Sequence, residues 1–186
     1  MNSPSVFSRM EAYVLDLLHE QQLKLGYRRE FTRLYIPLST LQHLLGAENT
    51  EDSLKSFCLA VRDTLGEIEV SHRGSRYCLG FPEQAADHVH EHMDADGFLP
   101  ALIRAVSSHE CTPDKLLELF SRFGSRLHVE ELSGEEFDYL VYFPDGVPNE
   151  YRYCLSFEAG HASYHRFIPE DYEEYGFPAG KVLREV

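Results

Sequence analysis

Apolar and polar positions alternate most legibly between residues 31 and 81. There a short apolar strand, Leu34-Tyr35-Ile36-Pro37, leads into two amphipathic helices and then a hairpin. The first helix is expected over residues 39–46. Ser39 and Gln42 make an S-x-x-Q capping box that would satisfy backbone N–H groups of the opening turn. Leu41, Leu44 and Leu45 share a face, and Gly46 suits a left-handed C-terminus. The second helix opens at Asn49 or Thr50. Leu54, Phe57, Cys58, Val61 and Leu65 follow the i, i+3, i+4, i+7 spacing, and Gly66 stops it. Ile68 and Val70, then Tyr77, Leu79 and Phe81, alternate with polar or small residues as the two arms of a hairpin, with Arg73-Gly74 as its turn.

An N-terminal helix precedes this stretch. Ser3-Pro4 supplies its start, Val6, Phe7, Met10, Val14, Leu17, Leu18 and Leu25 its buried stripe, and Gly26 its end. Helix, strand, helix, helix, hairpin is the order of a winged helix. Beyond Pro82, helical periodicity recurs over residues 83–93 and 98–107, and again after the Thr112-Pro113-Asp114 cap. From Arg126 the period changes to two. Leu127 and Val129, then Phe137, Tyr139, Val141 and Phe143, then Tyr151, Tyr153, Leu155 and Phe157, and finally residues 161–168, read as four strands joined by Ser133-Gly134, Pro144-Asp145-Gly146 and Ala159-Gly160. Short turns between alternating strands predict an antiparallel meander, an arrangement that can be wet on one face. A last short helix over 170–175 and a Gly- and Pro-containing tail follow. The fold class expected is α+β: a winged-helix-like domain over 1–82, then an acidic domain of helices and a four-stranded meander over 83–186.

Charge sharpens that boundary. The net charge is −14. Up to Pro82 there are nine Lys and Arg against ten Asp and Glu, whereas the remainder carries eight against twenty-one. The second half should therefore repel nucleic acid and anionic membrane. Cys58, Cys78, Cys111 and Cys154 are widely spaced on apolar or strand-like positions, as expected of reduced buried thiols rather than a disulfide or zinc framework. Residues 1–7 have neither a basic n-region nor an apolar h-region, and no apolar run approaches 18 residues. A cytoplasmic protein without membrane contact is the expectation.

Candidate chemistry is sparse. The densest basic cluster holds Arg28, Arg29 and Arg33, which suits either a solvated turn paired to nearby acids or a positive patch for phosphate or an acidic partner. The second helix of the winged-helix unit opens with Glu51 and Asp52, so only Lys55, Arg62 and the hairpin residues Arg73 and Arg76 favour nucleic acid. DNA binding would require Lys55, Arg73 and Arg76 to form one face with the residue 28–33 cluster. His88 and His92 share a helical face beside Glu91, but no third metal ligand is identifiable. Asp94 and Asp96 resemble a calcium loop whose twelfth position would be Ile103, which excludes it. In the last hairpin, Arg152, Cys154 and Glu158 share one strand face and His161 and His165 another. A Glu158, His161, His165 cluster is the one acid–base or metal candidate, weighed against an ordinary polar sheet face. The aromatic stripe of this sheet is assigned to core packing rather than base stacking. No P-loop, G-x-G-x-x-G or G-x-S-x-G is present, and neither cofactor nor metal is implied.

Several stretches together carry a family likeness: Gly26-Tyr27-Arg28, residues 34–39, Glu136-Phe137-Asp138-Tyr139-Leu140-Val141-Tyr142-Phe143, Tyr153-Cys154, Tyr164-His165-Arg166-Phe167 and Glu170-Asp171-Tyr172. In these the chain resembles a small family of uncharacterised bacterial proteins grouped only as a domain of unknown function. That resemblance implies a bacterial, intracellular, single-chain protein and assigns no activity, ligand or catalytic residue. The function expected is a non-enzymatic binding or regulatory module acting through protein contacts. The alternatives are a DNA-binding winged-helix regulator and a metal- or ligand-binding enzyme using the His161/His165 hairpin.

Overall fold

The computed structural model describes residues 6–134 and 136–185. Among them are eight helices and two antiparallel sheets, of three and five strands. The chain divides into two compact units that part between Asp94 and Ala95.

The first unit runs α1 (Ser8–Leu25), β1 (Phe31–Pro37), α2 (Leu38–Leu45), α3 (Thr50–Ala60), α4 (Arg62–Leu65), β2 (Glu69–Arg73), β3 (Arg76–Pro82) and α5 (Glu83–Glu91). β3 lies between β1 and β2. Thr32, Leu34 and Ile36 of β1 are buried while Arg33 and Tyr35 face out, so one sheet face meets the helices. The helices of this unit bury Met10, Val14 and Leu18 of α1, Leu41 of α2, and Leu54 and Phe57 of α3. Gln22 of α1 donates to the Ala86 carbonyl at 2.9 Å, and Gln84 donates to that of Asp63 at 2.8 Å. These bonds tie α5 into the first unit. The charge break at Pro82 is thus a change of surface, and the chain divides one helix later.

Local details differ from the sequence expectation. The Ser39 capping box does not form. α2 starts at Leu38 with extended Pro37 at its N-cap and no side-chain cap bond. Instead the Leu38 N–H donates to the Ser75 carbonyl at 2.8 Å, so the hairpin turn supplies a partner that a cap would otherwise provide. That turn is Gly74-Ser75 rather than Arg73-Gly74, because Arg73 pairs with Arg76. The stripe of α1 is shorter than expected: Val6 and Leu25 are exposed. Ser3 and Pro4, the expected start of that helix, lie outside the described residues. Gly26 and Gly66 do end their helices, at φ +75° and +79°.

The second unit runs α6 (Phe98–Val106), α7 (Pro113–Phe123), β4 (His128–Glu131), β5 (Tyr139–Tyr142), β6 (Arg152–Glu158), β7 (His161–Phe167), α8 (Pro169–Tyr175) and β8 (Lys181–Glu185). Thr112 caps α7 by accepting from the Lys115 N–H, with Pro113 in the first turn. The Phe98 ring meets Phe120, Phe143 and Tyr153 at 5.0, 5.4 and 5.5 Å, which puts the aromatic stripe in the core.

The expected four-stranded meander is one strand short. β8 pairs antiparallel with β4 and gives the order β7-β6-β5-β4-β8. The tail reaches that edge because Gly180 lies against the Glu131 carbonyl, where a Cβ would clash with backbone. Nor is the other sheet face wet. Leu140 and Cys154 are buried there under Phe167, Tyr172 and Phe177. Phe137 also packs on this face, not with Tyr139 and Val141, because β5 begins only at Tyr139 and the bend before it breaks the alternation.

The two sides of α3 generate a paired expectation. Phe57→Ala, which empties a fully buried site, should cost about 3–5 kcal/mol in urea unfolding. Leu59→Ala, on the outward side, should change stability by less than about 0.5 kcal/mol. Comparable losses would place Leu59 in the core and contradict its 70% exposure.

Candidate functional site

Helix α3 has one buried side and one mixed side. Leu54, Phe57 and, just beyond it, Val61 face the core, while Lys55, Cys58 and Leu59, with Arg62 at the start of α4, follow an i, i+3, i+4, i+7 spacing on a neighbouring stripe. That second stripe and Glu67, Ile68 and Val70 line a groove of about 400 Å³. Leu59 is 70% and Val70 44% exposed, so the groove carries an apolar surface that the unit leaves open to solvent. Burial raises the Cys58 thiol to about 11, an effect only partly offset by a backbone hydrogen bond, so it stays protonated at neutral pH.

The cations around the groove are held by their own neighbours. Lys55 approaches Glu51 at 3.6 Å and Asp52 at 3.8 Å, and Arg62 approaches Glu67 at 3.7 Å. The other basic residues are dispersed. Arg28 pairs with Asp87 at 2.5 Å, and Arg33 stacks its guanidinium over Phe31 at 5.0 Å. Arg28 and Arg29 line a separate cleft of about 700 Å³ with Gln22, Tyr27, Glu83 and His90. Sheet register keeps them from the hairpin arginines: Phe31 lies opposite Pro82 at one end of β1, and Pro37 lies opposite Arg76 at the other. A strand of that length spans roughly 20 Å. Arg73 and Arg76 face one another beside the turn, without an acidic partner among the described residues. Lys55, Arg73 and Arg76 therefore do not join the residue 28–33 cluster in one positive face.

In the second unit the two polar strand faces of the last hairpin do coincide. Glu158 lies opposite His161 and Cys154 opposite His165. Three residues of strand separate the two histidines, and His165 sits between Phe137, at 5.8 Å, and Phe167, at 6.2 Å. Arg152 stacks over Tyr142 at 3.8 Å. Within this unit, no three His, Cys, Asp or Glu side chains among the described residues converge at ligand distance. The His88 and His92 rings of the first unit lie 4.2 Å apart, tilted by 32°, with a hydrogen bond of 2.8 Å between the His92 ring and the His88 carbonyl.

Sequence reasoning missed two groups. Leu59 was left over by the core pattern, and its signal is the second i, i+3, i+4, i+7 stripe. The other group lies under α8. His128, only 8% exposed, stacks on Tyr142 at 4.5 Å and approaches Glu130 at 3.3 Å, and Glu130 accepts a hydrogen bond from the Gly180 N–H. Its signal was a histidine between Leu127 and Val129, placed by alternation on the opposite face.

Burial of the Tyr172 hydroxyl, with smaller contributions from Cys154 and Glu130, raises it to about 12 from its ordinary 10.0. The folded state therefore favours the neutral phenol. The stabilisation is complete below pH 10 and is lost as pH rises from 10 towards 12. Absorbance titration should contain a late tyrosinate component that Tyr172→Phe removes. Loss of no late component in that variant would refute the burial of this hydroxyl.

Comparison with curated proteins gives no match, and comparison with solved structures gives none. Comparison with protein families matches residues 7–176 to a domain of unknown function, DUF3877, described from E. rectale. With nearly the whole chain covered by that match, the protein belongs to the DUF3877 family of unknown function.

Proposed function

We propose that this protein is a non-enzymatic binding module acting through protein contacts, and that the face made by α3 and β2 is the contact surface. The observation that carries this reading is the open apolar groove lined by Cys58, Leu59, Ile68 and Val70. Its rim charges are compensated within the unit, so the groove offers apolar area without a net field for phosphate. We read the first unit as a winged helix, on its element order and its β1-β3-β2 sheet. On its helix face Lys55 and Arg62 are already paired to Glu51, Asp52 and Glu67, which suits protein contact better than phosphate. A cytoplasmic setting suits four unpaired cysteines.

One observation favours DNA as a second reading: Arg73 and Arg76 flank the hairpin tip with no acid beside them. Against it stand Glu51 and Asp52 in the first turn of α3, where base contacts would be made. An enzyme built on His161 and His165 has less support, since the register holds them apart.

A photoreactive residue at Leu59 tests the main reading in living cells. Discrete protein adducts should form there, and Val70→Lys should abolish them. Absence of adducts, together with retention of duplex DNA that weakens steeply with salt, would overturn protein contact in favour of DNA.

A further inference from the structure

Strand β2 is one of the two edges of its sheet and, unlike β1, has all five of its residues exposed. The two-residue turn fixes which backbone groups point where. Arg73 and Arg76 close the hairpin as a hydrogen-bonded pair, so Ser71 with Cys78 and Glu69 with Gly80 are also hydrogen-bonded pairs. The N–H and C=O groups of Val70 and His72 then point away from β3, along the open edge. Their side chains share a face with Leu79 and Tyr77, the side on which the helices lie.

Edge strands are ordinarily protected against pairing by inward-pointing charges, proline or a bulge. β2 has none of these at Val70 or His72. Its charges sit on the other face, Glu69 at one end and Arg73 at the other. Within the sheet Glu69 meets Gly80, and Arg73 meets the like charge of Arg76. Neither has an ion-pair partner among the described residues.

Resting on the protein-contact reading above, we propose that the partner is a second copy of this chain, joined by antiparallel pairing of β2 with β2 across a twofold axis at Ser71. In that register Val70 exchanges two backbone hydrogen bonds with His72 of the second copy, and His72 with its Val70, which engages every outward group of both strands. The same register puts Glu69 opposite Arg73 of the second copy and Arg73 opposite its Glu69. The strand is thus complementary in charge to its own reverse. Centring the axis on Val70 or His72 instead would leave outward groups opposite the strand ends and lose both ion pairs. A twofold axis between antiparallel strands runs perpendicular to the sheet, so both α3 helices lie on the same side. The groove beside Leu59 and Val70 then flanks the seam of a continuous sheet of order β1-β3-β2-β2-β3-β1.

The test is the mass of the full chain in solution, by sedimentation or light scattering. A dimer of the 21.4 kDa chain is expected, with slowed amide exchange at Val70 and His72. Glu69→Arg and Arg73→Glu should each weaken the dimer roughly tenfold to a hundredfold by opposing like charges, and the two together should restore it. His72→Pro removes an outward donor without touching a bond to β3 and should also weaken it. A monomer up to about 100 μM overturns the proposal, as does a dimer indifferent to these changes or unrestored by the double exchange. Adducts at Leu59 formed with a different protein while the chain stays monomeric would overturn the dimer and leave protein contact standing. Adducts of twice the chain mass support both.

Discussion

The unequal pairing of the three strands in the first sheet sets most of what surrounds them. β3 is bonded on both edges, to β1 and β2. Its turn to β2 also supplies the Ser75 carbonyl that receives the first N–H of α2, so strand pairing positions the helices as well as the sheet. β1 and β2 are each bonded on one edge only. Because backbone donors and acceptors must be satisfied by water, by side chains or by another strand, the outer edge of β2 is one of the two places where the sheet keeps hydrogen-bonding capacity. Apolar Leu59 and Val70 lie beside the same edge. A strand arriving there would satisfy the backbone and cover the groove in a single step, which is why the two features are read together.

Electrostatics decides what kind of partner can arrive. A chain of net charge −14 repels its copies at long range, but nearly all of that imbalance lies after Pro82. The first 82 residues are within one charge of neutral. Salt screens beyond about 8 Å under physiological conditions, whereas paired strands lie about 4.8 Å apart. The local pattern along β2 therefore outweighs the net charge. The same local pairing works against nucleic acid, since Lys55 and Arg62 already have carboxylates beside them.

Periodicity made the helices and strands legible where burial is one-sided. Leu54, Phe57 and Leu65 were recognised because a helix with one buried face must repeat at 3.6 residues. Leu59 was not, because the stripe it shares with Lys55, Cys58 and Arg62 is half charged and reads as a solvated face. The Ser39 box was a sound local signal that tertiary structure overrode when Ser75 supplied the bond. β8 escaped notice for a different reason. All five of its residues are exposed, so no alternation distinguishes it from a tail, and its place depends on the absence of a side chain at Gly180. Phe137 was put on the wrong face because a strict period of two was carried through a bend.

The five-stranded sheet shows why residue type alone misleads about chemistry. Its polar residues form a row across four strands. Glu185 lies opposite His128, His128 stacks on Tyr142, Arg152 lies over Tyr142, and Phe167 lies opposite Arg152. In such a row each charged or aromatic group uses its neighbour's face, and α8 with Phe177 limits access of solvent from above. A histidine so engaged contributes packing and orientation. Acid–base chemistry would need its ring nitrogens directed at an open space that a substrate can enter. His161 has the exposure but stands across from Glu158 at the hairpin end, and His165 is flanked by rings. The same covering of both faces removes the aromatic stripe from reach of a nucleobase. What this unit leaves open is its rim, where Leu132, Phe137, Tyr175 and Phe177 line a groove of about 400 Å³, the same volume as the groove along β2 in the other unit.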